Sequence, residues 1–197
     1  MTLLELRLSE FLDEVSGTAP TPAGGSLAAL VTAAAAGLLA KVARVSKSEW
    51  SEAAGIAAQA ESLRDRAAPL AQLDAEEYTA ALRSVADAGE QPGERRDFAV
   101  GKAYARAAEP PLRIVEAATD VAELAVIVAE KGNPNLRADA VAAGILAAAA
   151  ASAAAELVAV NLTAIDGDAR VVRARTMAGF AARAAEEAAA GGREPWE

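Results

Sequence analysis

The 197-residue chain contains no cysteine and no histidine. Without Cys there is no disulfide, no thiolate nucleophile and no zinc–thiolate site. Without His there is no Ser–His–Asp triad, no imidazole base and no ready ligand set for most transition metals. A carboxylate-held Mg²⁺ or Ca²⁺ stays compatible with this composition. Proton transfer therefore falls to Asp, Glu, Lys, Tyr, Asn or water. Aromatics are scarce, at 4% of residues, and no β-branched run alternates long enough to read as a strand. Cations are outnumbered, 19 Lys and Arg against 28 Asp and Glu, and they form no block. That balance argues against nucleic acid as a partner and suits a soluble cytoplasmic protein. An anionic ligand would need a local basic cluster.

Charges at Glu5, Arg7, Glu10, Asp13 and Glu14 interrupt the stretch where a secretory leader would be apolar. Residues 18–40 and 140–155 carry no charge. Their helical parts, about 15 and 16 residues of mostly Ala, fall short of the roughly 20 strongly apolar residues of a membrane span. They read as buried helices, with no membrane partner.

What the chain has in excess is alanine, 57 residues, together with Leu, Glu, Arg and Gln, all strong helix formers. The periodicity predicts a helix over residues 2–15, with Leu4, Leu8, Phe11, Leu12 and Val15 on one stripe. SGTAPTPAGGS is a loop, with Ser26 as a candidate cap. A second helix runs to about residue 46. A third spans 48–86 with a kink at Pro69, and DAGEQPGERR is a loop. A fourth runs from about 94 to 131, interrupted at Pro110 and Pro111. Gly132 suits a left-handed C-cap, and Pro134 cannot continue the helix. A fifth helix covers 136–165, Asp166, Gly167 and Asp168 turn, and a sixth reaches 190. Residues 191–197 read as a frayed tail. The expected fold is all-α: an antiparallel bundle of six or seven helices forming one domain over residues 1–190. Ala at contact positions lets helices approach to about 8 Å, but each Ala buries little area. Burial against a second copy would compensate, so a two-fold homodimer is expected.

Three loci carry candidate chemistry. At Gly24, Gly25 and Ser26 a Gly pair leads into a helix, either a tight turn with a cap or a set of N–H donors for an anion or carbonyl. No Lys follows, so it is not a nucleotide-phosphate loop. KGNPNLRAD places Asn133, Asn135, Arg137 and Asp139 at a helix start, as caps and dipole partners or as site residues. Asp74 and Asn161 interrupt apolar helix patterns. Asp74 either shares a solvated face with Glu76 and Glu77 or enters a site. A buried Asn161 needs partners, either across a helix contact or in a site.

Taken in order, PTPAGGSLAAL before an Ala-rich helix, LDAEEYTAAL, EPPL, GN with RAD, and NL at Asn161–Leu162 resemble the cyclodeaminase/cyclohydrolase family over roughly residues 9–168. That family comprises the cyclodeaminase half of formiminotransferase-cyclodeaminase and stand-alone bacterial methenyltetrahydrofolate cyclohydrolases. The resemblance implies an all-helical dimer acting on one-carbon units of tetrahydrofolate, with no metal and no redox cofactor. The implied reaction is hydrolysis of 5,10-methenyltetrahydrofolate to 10-formyltetrahydrofolate. The related alternative closes 5-formiminotetrahydrofolate with release of ammonia. Asp74 and Asp139 would then transfer protons, in an order left open. Asn161 and Asn133 would orient pterin or water. The Gly24–Gly25–Ser26 helix end would donate N–H groups. Arg137 would offset charge near Asp139 or meet the glutamate tail, and Lys47 would stand in for a basic pair.

The chain departs from the family pattern at Ala23 (Gly), Lys41 (Met), Glu49 (basic) and Leu157 (Asn). These departures motivate a second reading, a divergent non-catalytic helical dimer that binds a small anion or a protein. Under the enzymatic reading, positions 24, 74, 139 and 161 line one cleft, within a subunit or across a subunit contact.

Overall fold

Proline or glycine stands where several of the helices start or stop. The structure, a computed structural model, describes residues 2–48, 50–90, 93–163 and 167–191. Among these are eight α-helices: α1 (Leu8–Ser16), α2 (Gly24–Val45), α3 (Ala53–Ala67), α4 (Leu70–Asp87), α5 (Gly93–Ala107), α6 (Glu109–Lys131), α7 (Arg137–Asn161) and α8 (Ala169–Ala190). The predicted third and fourth helices each divide in two. Pro69 breaks α3 from α4, and Pro110 and Pro111 open the first turn of α6, where a missing N–H costs nothing. Glu49, Ile165, Asp166 and the tail from residue 192 lie outside the described residues.

Cross-helix contacts fix the directions. Along α2 and α7, Gly24 meets Leu157 at one end and Lys41 meets Asp139 at the other, so the two run antiparallel. Asn161 reaches Ala107 just before α6, and Gly144 meets Ala125 midway, so α6 and α7 are antiparallel as well. Arg170–Glu109, Arg173–Glu116 and Thr119–Met177 climb together, which makes α8 parallel to α6. The bundle is thus an alternating up–down set around α2, α6 and α7. Small residues permit the close approach. A Cβ on Gly144 would lie 3.1 Å from the Ala125 Cβ and 3.8 Å from the Ala185 Cα, so α6, α7 and α8 meet almost backbone to backbone. The helical segments that contain the two uncharged stretches, Gly24–Ser48 and Pro134–Asn161, are longer than expected and are long and apolar enough to cross a membrane by length and composition, yet both contribute buried faces to this core.

Four local expectations are corrected. The first helix is a 3₁₀ turn (Leu3–Glu5) followed by the shorter α1, because an extended Leu6–Arg7 step separates them. Of the predicted stripe only Phe11 is buried, while Leu4, Leu8 and Leu12 are exposed. Ser26 is not a cap, since α2 already begins at Gly24 with Ala23 at the N-cap. Gly132 is extended (φ −74°) rather than left-handed. Its bareness answers a close approach instead, because a Cβ there would crowd the Val128 carbonyl oxygen at 2.5 Å. Of the residues expected to turn here, Gly167 is left-handed (φ 71°) and Asp168 caps α8 through the Arg170 N–H.

Candidate active site

One end of the bundle gathers the polar residues that interrupt apolar helices. The loop before α2 is tied to α4 by the Thr21 and Thr79 hydroxyls, 3.2 Å apart. It delivers Gly24, Gly25 and Ser26 as the first turn of α2. Those residues present N–H groups that have no partner within the helix. Asp74, from the first half of α4, turns into this helix end and is 8% exposed. The Ser26 hydroxyl donates to the Ala71 carbonyl at 2.8 Å and stands 3.4 Å from Asp74 Oδ2. A carboxylate on α4 therefore stands against the N-terminal turn of α2, the end that the helix dipole makes favourable to negative charge.

This approach requires Gly25. A Cβ there would come within 2.5 Å of every atom of the Asp74 carboxyl group. Gly24 has no such constraint, since its Cβ would make an ordinary contact with Leu157 at 3.8 Å. Burial pushes the Asp74 carboxyl up to about 6, against the opposing pull of the Ser26 hydrogen bonds. Desolvation outweighs the helix end, and the group is poised near neutrality.

Above Asp74 lies a cavity of about 190 Å³. Asp74 and Tyr78, one turn apart on α4, form one wall. Leu157, Val160 and Asn161 of α7 form the other, and Pro20, Thr21 and Ala23 with Gly24 and Gly25 close the base. The Asn161 Nδ2 donates to the Ala107 carbonyl at 3.0 Å, where α5 gives way to α6. That bond fixes the carboxamide, so the residue is at once a helix–helix tie and part of the cavity wall. Among the sequence candidates, Gly24, Gly25, Ser26, Asp74 and Asn161 are together here.

The remaining candidates are at the opposite end of the bundle. Asp139 lies in the first turn of α7, its side chain 42% exposed, with Lys41 Nζ at 4.0 Å. Some 22 residues of helix separate it from Asn161, about 33 Å at the α-helical rise. Asn133 accepts from the Asn135 N–H at 2.9 Å, and its own N–H donates to Ser46 at 2.7 Å. Arg137, half-buried, donates to the Ala188 carbonyl at 2.7 Å, closing the end of α8. Lys47 is exposed on the 3₁₀ turn after α2. Within one chain, then, positions 24, 74 and 161 share a cleft and 139 does not. Tyr78 and Val160 also line the cavity and were not among the sequence candidates. The spacing that could have found Tyr78 is its single turn from Asp74.

Residues 7–179 match the formiminotransferase-cyclodeaminase family. The chain belongs to that family. Among its relatives is a methenyltetrahydrofolate cyclohydrolase of Methylorubrum extorquens, 30% identical over 167 residues, 81% of this chain and 80% of that protein. A crystal structure of formiminotetrahydrofolate cyclodeaminase from Thermotoga maritima superposes with a TM-score of 0.77 at 26% identity, covering 94% of this chain and 93% of the other. The all-helical fold and the family resemblance expected from the sequence are thus both found.

Proposed function

We propose that this chain hydrolyses 5,10-methenyltetrahydrofolate to 10-formyltetrahydrofolate at the Asp74 cavity. Membership of the family and the two relatives support the coarser statement, a folate-related cyclohydrolase or cyclodeaminase function. The observation that carries the finer one is a single buried carboxylate poised near neutrality beside a helix N-terminus.

The methenyl carbon is already electrophilic, because its positive charge is shared over two nitrogens, so the reaction asks for no metal or redox cofactor. It needs a base for water and an acid for the departing nitrogen. Asp74, ionised above pH 6, takes one proton from the attacking water as the new C–O bond forms. The resulting hydroxyl adduct is neutral. As its C–N5 bond breaks, protonated Asp74 returns that proton to N5. The hydroxyl proton leaves to solvent as the formyl C=O forms on N10. One group serves both steps because its pKa lies between those of water-activating and acid-donating roles. Unpaired N–H groups at the start of α2 and the fixed carboxamide of Asn161 orient the ring and the incoming water.

Two substrates separate this reading from its alternative. Loss of methenyltetrahydrofolate absorbance should be accelerated by the protein, and ammonia release from formiminotetrahydrofolate should not. The reverse result would make the chain a cyclodeaminase, and binding without turnover of either would favour the non-catalytic reading.

A homodimer is part of this proposal. Two adjacent helices leave apolar side chains uncovered, Leu27 and Val45 on α2 and Ile145, Leu146 and Val160 on α7. A two-fold copy packed against this pair, helices antiparallel, would carry the Asp139 end of one protomer to the Asn161 end of the other. Light scattering of the purified protein should give twice the chain mass, and a monomer at micromolar concentration contradicts it.

A further inference from the structure

We propose that Tyr78 is the positioning residue that holds the flat heterocycle of the substrate beside Asp74; this rests on the folate reading above. Three observations lead there. Tyr78 is the one aromatic side chain among those lining the cavity, and it stands half-buried one helical turn beyond Asp74 on the same face of α4. The facing wall on α7 is aliphatic at Leu157 and Val160, with the Asn161 carboxamide beside them. Walls supplied by two different helices make a slot with one aromatic and one aliphatic side, a shape that suits a planar ring and confers little on a flexible chain. The volume, about 190 Å³, lies below the roughly 300–1,000 Å³ of pockets that enclose whole drug-sized ligands. The slot therefore takes the fused ring system that bears the one-carbon unit and leaves the remainder of the molecule outside.

Asp74 cannot orient the ring by itself. Its carboxylate is held by Ser26 and by the close pass of Gly25, so it has one fixed position from which to meet water. The ring must be brought to it, and in this slot Tyr78 is the group with a flat face to do so. Stacking of this kind acts on bound substrate and transition state alike, so its loss appears in KM rather than in kcat.

The test is steady-state kinetics on methenyltetrahydrofolate with Tyr78→Leu and Tyr78→Phe, alongside thermal melts. Tyr78→Leu should raise KM tenfold or more with kcat within threefold, and Tyr78→Phe should bring KM back to within threefold of wild type. An unchanged KM in Tyr78→Leu overturns the proposal. So does a loss in Tyr78→Phe equal to that in Tyr78→Leu, which would assign the work to the hydroxyl. If Tyr78→Leu melts early, Tyr78→Met is the substitute, with the same expected and overturning results. If the wild-type protein shows no turnover, the folate-hydrolase reading fails separately. Calorimetric titration with tetrahydrofolate then reads Tyr78 alone: a tenfold weaker Kd in Tyr78→Leu supports the proposal, and equal binding or no binding to wild type overturns it.

Discussion

The carboxyl group of Asp74 occupies the space that a side chain on Gly25 would fill. A residue in the first half of α4 and another in the first turn of α2 are thereby locked in a single relative position, with Ser26 as the hydrogen-bonding intermediary. The chemistry proposed for the cavity depends on that lock.

Gly25→Ala should break it. The new methyl must displace the carboxylate or push α2 from α4, and overpacking of this kind costs about 1–3 kcal/mol. We expect activity to fall at least tenfold and the melting temperature to drop. Gly24→Ala, whose methyl meets only the tip of Leu157, should perturb stability far less. Paired melts and rates for the two variants check this.

Ser26→Ala removes a donor that stabilises the ionised form of Asp74. The carboxyl pKa should therefore move further up from about 6. The hydroxyl stands 3.4 Å from Oδ2 and its shorter bond goes to Ala71, so the contribution is weak. The acid limb of the kcat/KM profile should shift up by about half a pH unit.

Asp74 also makes stability depend on pH. Its folded pKa is raised, so its contribution is fully present below the ordinary value of 3.8 and is lost as pH rises through about 6. The interval corresponds to about 3 kcal/mol. Asp74→Asn should accordingly be more stable than wild type at pH 8, by ~1–3 kcal/mol, with the gap closing toward pH 4. Urea unfolding of both proteins at three pH values measures it.

Much of this architecture was legible in the sequence, and the reason is local. Pro69, Pro110 and the Gly-Asn-Pro segment punctuate helices through their own backbone chemistry. Asp74 and Asn161 stand out because each breaks an apolar run, and both are found at the cavity. What local pattern does not encode is position along a long rod. Asn161 and Asp139 sit on the same helix, yet a full α7 length separates them. Only the register between helices, set by contacts such as Gly24–Leu157 and Lys41–Asp139, reveals which residues share an end. The first helix misled for another reason. Its stripe is real, but only Phe11 is buried, and Leu4, Leu8 and Leu12 stay exposed.

The proposed homodimer would offer a sharp test of where Asp139 acts. If it completes the partner's cavity, Asp139→Asn should lower the rate tenfold or more without unfolding. Mixing Asp74→Asn with Asp139→Asn protein should then restore activity, since half of the randomly reassorted dimers carry one intact site. Recovery approaching about a quarter of wild type is expected. No recovery on mixing would confine the chemistry to one chain.

The central claim is that Asp74 is the proton-transferring group for hydrolysis of methenyltetrahydrofolate. Its most direct measurement is the pH dependence of kcat/KM for loss of methenyl absorbance, in wild type and in Asp74→Asn. The account predicts a wild-type rate that falls tenfold per pH unit below about 6, and a variant slowed at least a hundredfold with that limb gone. A variant that keeps wild-type activity, or the same limb, would contradict it.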